Sequence, residues 1–232
     1  MKSTNEHDRH SIRLRAYDYS LAGMYFVTVC VSERTSLFAR VTDGEMGLNP
    51  AGTMVHSVLE EMPGRYSGVG VDSFVVMPNH VHSIIVLTEG PVGAGTGPPA
   101  EMRQGRTRED EKRLTLGDVV QRFKSITFQN YRTGVLRGGW TRYVGTLWQR
   151  DYYEHIIRDG ESLARIREYI KNNPRRWELD RENPKRTGED PFDMWLDSFI
   201  DRPGVDFPVR AGDCSKTRKP APTWPPTRHG KR

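Results

Sequence analysis

The apolar positions in the N-terminal part of the chain follow two different periods. Residues 24–31 form an unbroken apolar and β-branched run, which is typical of a buried strand. Residues 50–62 carry apolar side chains at helical spacing, with Asn49 placed to cap the first turn and Pro63-Gly64 placed to end the helix. A pair of strands begins at about Val69. This part of the chain therefore predicts the order strand, helix, strand, strand.

Two histidines stand at the turn between the two predicted strands of this pair, 74–77 and 81–87. Pro78-Asn79 indicates the turn, because Pro78 has no backbone N–H to donate to a sheet. Side chains at positions i and i+2 of a strand share a face, so His80 and His82 lie side by side and Val81 points to the opposite face, toward a core. Two adjacent imidazoles at an accessible sheet end make half of a metal site. The alternative is that they only hydrogen-bond to the backbone.

The second half of the chain predicts further helices and one more strand. An apolar stripe at helical spacing covers residues 115–131, and residues 144–153 hold a strand. A second helix covers residues 161–173 and is stopped by Pro174. Residues 194–200 predict a short last helix that covers the body of the protein.

The helix over residues 161–173 carries two chemically useful side chains. Tyr169 and Asn173 are four residues apart, which makes them neighbours on the helix surface. On a helical wheel they lie at the edge of the buried stripe, where they can reach the sheet. An amide oxygen beside two imidazoles gives a mixed nitrogen and oxygen set that suits Mg²⁺ or Mn²⁺. In the alternative interpretation Tyr169 is a half-buried aromatic and Asn173 caps the helix end. The stripe itself consists of Leu163, Ile166 and Ile170.

Basic charge is concentrated in two segments. The whole chain has a net charge of +5 and a pI near 9.3. Residues 103–137 carry nine Lys/Arg against four Asp/Glu, and residues 214–232 carry six Lys/Arg with no acidic residue. This distribution fits contact with a polyanion such as nucleic acid, and it fits a solvated helix with a disordered tail equally well.

Composition also divides the chain into a core and its additions. Residues 1–180 form the predicted domain, and residues 89–112 are a flexible Gly/Pro-rich and charged insertion within it. Residues 181–213 are a C-terminal extension, and residues 214–232 a disordered basic tail. Only the first of these segments carries the predicted strands and helices of the site.

Nothing in the sequence indicates a membrane or secreted protein. No apolar run approaches the roughly 18 residues that a membrane span needs. The polar N-terminus lacks the apolar region of a signal peptide. Cys30 and Cys214 suggest neither a disulfide framework nor a thiol metal site. We therefore expect a cytoplasmic protein that makes no membrane contact.

Four motifs, in order along residues 11–178, together resemble the IS200-like single-tyrosine transposases, and most of all the REP-associated tyrosine transposases. They are the opening segment 13–29, the His-hydrophobic-His segment 77–82, the segment 147–158 and the tyrosine helix segment 168–174. The resemblance implies an α+β fold, namely a ferredoxin-like or RRM-like palm with an antiparallel sheet and packed helices. This is the fold of the HUH endonucleases.

The resemblance also implies an activity and a set of residues. Members of this family cleave and rejoin single-stranded DNA, often at a hairpin, through a 5′-phosphotyrosine intermediate and with a divalent metal ion. Carried over by position, Tyr169 is the nucleophile, and His80, His82 and Asn173 are the metal ligands. Relatives are monomers or homodimers, and the sequence leaves that choice open.

Two other tyrosines and two other functions remain as alternatives. Tyr152 and Tyr153 are rival nucleophiles, and Tyr169 is preferred because its helix also supplies Asn173. A non-catalytic nucleic-acid-binding module on the same fold is the first alternative function, and a metal-dependent phosphoesterase is the second. The latter lacks the clustered carboxylates of two-metal phosphatases. Candidate DNA contacts are the basic residues Arg122, Lys124, Arg132, Arg150 and Arg158.

Overall fold

The computed structural model of the protein describes residues 18–89 and 114–198. Its regular elements are six strands and four α-helices in the described residues, which make an α+β fold. In chain order they are β1 (Gly23–Cys30), β2 (Ala39–Thr42), β3 (Glu45–Leu48), α1 (Pro50–Arg65), β4 (Val69–Val76), β5 (His80–Leu87), α2 (Leu116–Arg137), β6 (Tyr153–Ile157), α3 (Gly160–Asn172) and α4 (Pro191–Asp197).

The central sheet has four strands in the order β4-β5-β1-β6, and every neighbouring pair is antiparallel. Its connections run β1-α1-β4, then a tight hairpin into β5, then α2 into β6. This is the ferredoxin-like arrangement. The predicted α+β palm with an antiparallel sheet and packed helices is therefore confirmed.

The two faces of this sheet serve different purposes. Tyr25, Val27 and Val29 of β1 point to the face that α1 and α2 cover, and Val81 of β5 joins them in the larger apolar core. This confirms the predicted orientation of Val81. The opposite face is covered by α3 and α4, which pack on Phe26 of β1 through a smaller apolar cluster.

The helix starts follow their capping residues, whereas two helix ends differ from the prediction. The side chain of Asn49 accepts a hydrogen bond from the backbone N–H of Gly52, as expected of an N-cap. The predicted end of α1 at Pro63 is wrong, because the helix continues to Arg65. A proline in the last turn removes only one N–H donor, and the N–H of Tyr66 still bonds to the carbonyl of Met62.

The helix α2 is longer than the predicted 115–131. Thr115 and Asp118 form a capping box at its start. Gly134 does not end the helix, because it lies beneath the indole of Trp140, which would approach a Cβ at this position to 2.2 Å. The glycine therefore permits close packing, and the helix ends at Arg137 with Gly138 as its C-cap.

The prediction of a strand over residues 144–153 is wrong, because only Tyr153 of that range lies in the observed strand. The last strand is Tyr153–Ile157, and residues 144–152 contribute one isolated bridge, between Val31 and Trp148. Pro174 ends α3, but the chain continues in a 3-10 turn, Asn173–Leu179. Proline suits the first turn of such a helix because its missing N–H has no partner there.

Sequence analysis missed the small β2–β3 hairpin. Its turn is Asp43-Gly44, with φ of 53° and 75°. An Asp-Gly pair between short apolar-polar runs is a strong hairpin signal, because both turn positions need positive φ. The hairpin lies outside the central sheet and contributes no residue to the site described below.

Several predictions concern segments outside the described residues. The insertion 89–112 is one, apart from Glu89, and the tail 214–232 is another. The extension 181–213 is described to residue 198, where it includes α4, which begins three residues earlier than predicted. Within the described ranges, no helix is both long and apolar enough to cross a membrane.

Candidate metal and nucleophile site

The histidine pair lies at the start of β5, on the face of the sheet that α3 and α4 cover, which is called the site face below. The strand register places His80 beside Cys30 and His82 beside Thr28 on the neighbouring strand β1. Both imidazoles are buried, and their Nε2 atoms lie 2.9 Å apart. The two rings therefore converge on one point, as the i and i+2 spacing predicts.

The helix α3 brings a tyrosine to the same point. Ile166 and Ile170 anchor α3 on Phe26 and Ile84 of the sheet. This packing places the Tyr169 hydroxyl 3.3 Å from Nε2 of His82. The pairing of a sheet histidine with a helix tyrosine results from two amphipathic elements meeting through their apolar faces.

The residue that follows the 3-10 helix after α3 supplies a carboxylate that sequence analysis missed. Oδ2 of Asp180 lies 3.7 Å from Nε2 of His80 and 3.6 Å from Nε2 of His82. The Tyr169 hydroxyl donates to the same oxygen at 3.3 Å. His80, His82 and Asp180 thus form a buried group whose potential ligand atoms all lie within 4.8 Å of one another.

Asn173 lies in the same cluster. Its Nδ2 donates to Oδ2 of Asp180 at 2.8 Å, and its Oδ1 is buried without a hydrogen-bond partner in the described part of the chain. The contacts show that Asn173 orients Asp180. Asn173 as a metal ligand through Oδ1 stays a prediction.

Each imidazole is held through its second ring nitrogen. Nδ1 of His80 lies 2.9 Å from Oδ1 of Asn79, and Nδ1 of His82 lies 2.8 Å from Oγ1 of Thr28. Phe26 stacks on His82, and Trp177 stacks on His80. Because the Nδ1 atoms are engaged, both rings present Nε2 to the centre.

Burial and charge set the protonation of the cluster. Burial lowers the pKa of His80 to about 4, although Asp180 acts in the opposite direction. Burial disfavours the charged form of Asp180, but the histidines and Asn173 outweigh it and hold the pKa of this carboxyl well below its usual range. Around neutral pH the cluster therefore combines a neutral imidazole with a carboxylate, which are the forms that bind a metal ion.

The tyrosine is protonated in this environment. Burial, followed by the charge of Asp180, raises the pKa of Tyr169 well above its usual value. A phenol is a weak nucleophile in this form, so its activation needs a cation or a base close to its oxygen.

The helix α4 closes over the tyrosine. Phe192 stacks on Tyr169 with the ring centroids 3.7 Å apart and the planes 9° from parallel. Salt bridges fix the helix from both sides, between Arg181 and Asp193 and between Arg176 and Asp190. The C-terminal extension therefore completes the wall of the site.

A cavity of about 390 Å³ opens beside the cluster and reaches both His82 and Tyr169. Its wall combines aromatic rings, which can stack on bases, with both arginines and carboxylates, and Arg34 and Arg181 pair with Glu182 and Asp193. The aromatic residues are Phe26, Tyr152, Tyr153, Tyr169 and Phe192, the arginines are Arg34, Arg150 and Arg181, and the acidic residues are Asp151, Glu154, Glu182 and Asp193.

The predicted DNA contacts are distributed over the molecule. Of these, only Arg150 lines the cavity. Lys124 donates to the carbonyl oxygens of residues 149–151 and so supports the loop before β6. Arg122 and Arg132 lie on α2, which covers the other face of the sheet, and Arg158 is exposed after β6. Their role in DNA binding stays a prediction.

The two rival tyrosines occupy different surroundings. Tyr152 packs against the core that α1 and α2 cover. Tyr153 packs with the site-face cluster, near Phe26, and burial raises the pKa of its phenol above the usual value. Among these three tyrosines, Tyr169 is the one whose hydroxyl lies within hydrogen-bond distance of the histidine pair, 3.3 Å from Nε2 of His82.

Comparisons with known proteins identify relatives of this chain by sequence. An uncharacterized protein of Haemophilus influenzae is 39% identical over 178 residues, which span 75% of this chain and 93% of that protein. A second protein of the same organism, named "putative REP-associated tyrosine transposase", is 24% identical over 157 residues, which span 68% of this chain and 73% of that protein. No family model matches the chain.

Among solved structures, a REP-associated tyrosine transposase bound to a REP hairpin is similar, with a TM-score of 0.45 and 18% identity, covering 83% of this chain and 94% of that chain. The evidence for kinship comes from the sequence matches and the ordered motifs. The chain belongs to one family with the uncharacterized Haemophilus influenzae protein, and it is a relative of the REP-associated tyrosine transposases.

Proposed function

We propose that this protein is a transposase-type endonuclease that cleaves and rejoins single-stranded DNA, at hairpin-forming sites, with Tyr169 as the nucleophile. The observation that carries the proposal is the convergence of three elements. The Tyr169 hydroxyl lies 3.3 Å from both His82 Nε2 and Asp180 Oδ2, and His80, His82 and Asp180 form one buried group.

This group has the chemistry of a divalent metal site. Two imidazole nitrogens and a carboxylate oxygen are buried together, and the unpartnered Oδ1 of Asn173 lies next to them. Such a mixed set suits Mn²⁺ or Mg²⁺ and leaves coordination positions for a substrate. A bound ion would stabilise the negative charge that develops on a phosphoryl group. His80, His82 and Asp180 would hold it, and Asn173 Oδ1 is the further predicted donor.

The role of Tyr169 follows from its position. Its oxygen forms a bond to phosphorus, the bond from phosphorus to the 3′ oxygen breaks, and the phenol proton is balanced by the proton that the released 3′-hydroxyl gains. The ester that results keeps the 5′ phosphate on the protein. Reversal of the same step by another 3′-hydroxyl rejoins the strand without an external energy source.

The neighbouring cavity supports an unpaired strand as the substrate. Aromatic side chains can stack with bases of any sequence, and arginines pair with phosphates. A single strand can place one nucleotide in a narrow cavity, whereas a duplex keeps its bases stacked inside. Localisation in the cytoplasm, with the nucleoid as the place of action, is part of the same proposal, as is a monomer or a homodimer.

The proposal is tested with a hairpin-bearing single strand, labelled at either end, and Mg²⁺ or Mn²⁺. On a denaturing gel we expect the 3′ label to migrate with the protein and the 5′ label to appear in a shorter free fragment. Tyr169→Phe should form no adduct. Tyr131→Phe is a matched control, because it removes the hydroxyl of a buried tyrosine on the other face of the sheet.

Other outcomes would decide against parts of the proposal. An adduct that persists in Tyr169→Phe and disappears in Tyr153→Phe would assign the nucleophile to β6. Tight binding of the strand without cleavage under either ion would favour the non-catalytic binding module. Hydrolysis of small phosphoesters without a covalent DNA product would favour the phosphoesterase.

A further inference from the structure

The side chain of Asn79 connects three separate parts of the site. It lies in the turn just before β5 and is fully buried. Its Oδ1 contacts Nδ1 of His80, and its Nδ2 donates to the carbonyl oxygens of Arg34 and Glu182, at 3.0 and 2.8 Å. All the polar atoms of this amide are therefore engaged inside the protein.

These contacts determine which way round the amide lies and which ring nitrogen carries a hydrogen. Because the NH₂ group faces two carbonyl oxygens, the oxygen of Asn79 must face His80. An amide oxygen only accepts hydrogen bonds, so Nδ1 of His80 carries the hydrogen and donates it. In the neutral ring this leaves Nε2 with a free lone pair, directed at the group of His82 and Asp180.

Thr28, the partner of His82, does not impose such a choice. Its hydroxyl can either donate to Nδ1 of His82 or accept from it, so it serves both neutral forms of the ring. The two histidines are thus held in different ways, and only His80 is fixed in one form by its neighbour.

Asn79 is also linked to the carboxylate of the site. It donates to the carbonyl of Glu182, and the backbone N–H of Glu182 donates to Oδ1 of Asp180 at 2.7 Å. One chain of contacts therefore runs from His80 through Asn79 and the backbone of Glu182, whose carbonyl and N–H both take part, to Asp180. The turn of β5 and the segment after α3 are positioned relative to each other by these contacts.

We propose that Asn79 is a positioning residue that fixes His80 in the Nδ1–H form and holds Asp180 in register with it. This inference rests on the proposed metal site, because its purpose is to present Nε2 of His80 and a carboxylate oxygen together. Outer partners of metal ligands act in this way, and their loss lowers metal affinity by about 10- to 100-fold.

The most direct test is a nitrogen NMR spectrum of the full-length protein with labelled histidines, kept metal-free by a chelator. We expect His80 to show a protonated Nδ1 and an unprotonated Nε2 near neutral pH. A hydrogen on Nε2 in the wild-type protein would overturn the inference, and this measurement needs no variant.

Substitution then separates positioning from packing. In Asn79→Ala we expect a mixture of the two ring forms at His80 and a Mn²⁺ affinity reduced by about 10- to 100-fold. Thr127→Ala is the control, because Thr127 is another fully buried polar residue, and its hydroxyl donates to the carbonyl of Phe123 on the opposite face of the sheet. It should retain the wild-type ring form and affinity.

The two proposals fail in distinguishable ways. If the wild-type protein binds no Mn²⁺ but His80 has the Nδ1–H form, the metal site is wrong and the role of Asn79 in fixing the ring stands. If Asn79→Ala keeps the Nδ1–H form and binds Mn²⁺ as tightly as the wild type, Asn79 is not the positioning residue and the metal site stands.

Discussion

The two faces of the central sheet differ although the same strands build both. On one face, Val27, Val29 and Val81 pack under α1 and α2 in the larger apolar core. On the other, the alternate positions Thr28, His80 and His82 carry the polar cluster, and a smaller apolar cluster holds α3 and α4 around it. Strand alternation lets one face hold the fold while the other carries chemistry.

The core face therefore stabilises the fold, whereas the face with the polar cluster carries the groups for metal binding and cleavage. A substitution under α1 and α2 should act on stability, and a substitution at the polar cluster should act on metal binding and cleavage.

The largest expected effect is on the core face. Phe123→Ala removes a buried ring that packs beside Trp148, and should lower the free energy of unfolding by about 3–5 kcal/mol. Urea unfolding followed by circular dichroism measures the loss. Cleavage per folded molecule should stay close to the wild-type rate, and a large loss of that rate would show that the two faces are not separate.

The opposite pattern is expected at Asp180. Asp180→Asn keeps the shape of the side chain but removes the charge that faces the two histidines. Since direct ligands should matter more than their outer partners, we expect Mn²⁺ affinity and the cleavage rate to fall by more than about 100-fold. Titration calorimetry and the gel assay measure the two. Unchanged affinity would remove Asp180 from the metal site.

Acid should destabilise the protein through His155, which lies on the site face. Burial lowers the pKa of His155 to about 4, with Arg158 acting in the same direction. The unfolded chain takes up this proton near pH 6.5 and the folded chain only near pH 4, so stability is lost as the pH falls through that window. His155→Gln should reduce this loss by up to about 3 kcal/mol.

Unfolding in urea at several pH values between 7 and 4.5 checks the prediction. Burial raises the pKa of Asp193 to about 6, so its protonation makes the folded protein more stable as the pH falls in the same range. The contribution of Asp193 is common to both proteins and cancels in their difference. An equal pH dependence in the wild type and in His155→Gln would contradict the assignment.

The smallest effect is expected at the edge where α3 meets β4. Arg167 donates to Asp72 at 2.8 Å through Nε, but its side chain is largely exposed. Exposed pairs of this kind contribute about 1 kcal/mol or less. Arg167→Ala should therefore change the unfolding free energy by no more than that. A larger loss would mean that charge, and not the apolar contacts of Ile166 and Ile170, holds α3 on the sheet.

The elements that bury one side could be predicted from the sequence. In the strand β1, the hairpin into β5 and the helix α3, the pattern of apolar residues indicates which residues are buried. The i and i+2 spacing places His80 and His82 on one face. The same logic placed Tyr169 beside that face, although it lies deeper than at the edge of the stripe.

Asp180 could not be found in this way. It lies in the irregular segment after α3, where no period relates a side chain to a face. Its position is fixed by contacts with residues distant in sequence, among them His80, and by Asn173 and the peptide of Glu182. The pairing of Thr28 with His82 was equally out of reach, since the register of β1 on β5 depends on a connection that includes α1.

The most direct test of the central claim is to locate the covalent bond between protein and DNA. The adduct is formed on hairpin-bearing single-stranded DNA with Mn²⁺, treated with nuclease and trypsin, and analysed by mass spectrometry. Our account predicts a nucleotide 5′-phosphate on the peptide 168–171, which contains Tyr169. A nucleotide on the peptide 151–158, which contains Tyr152 and Tyr153, or no modified peptide at all, would contradict it.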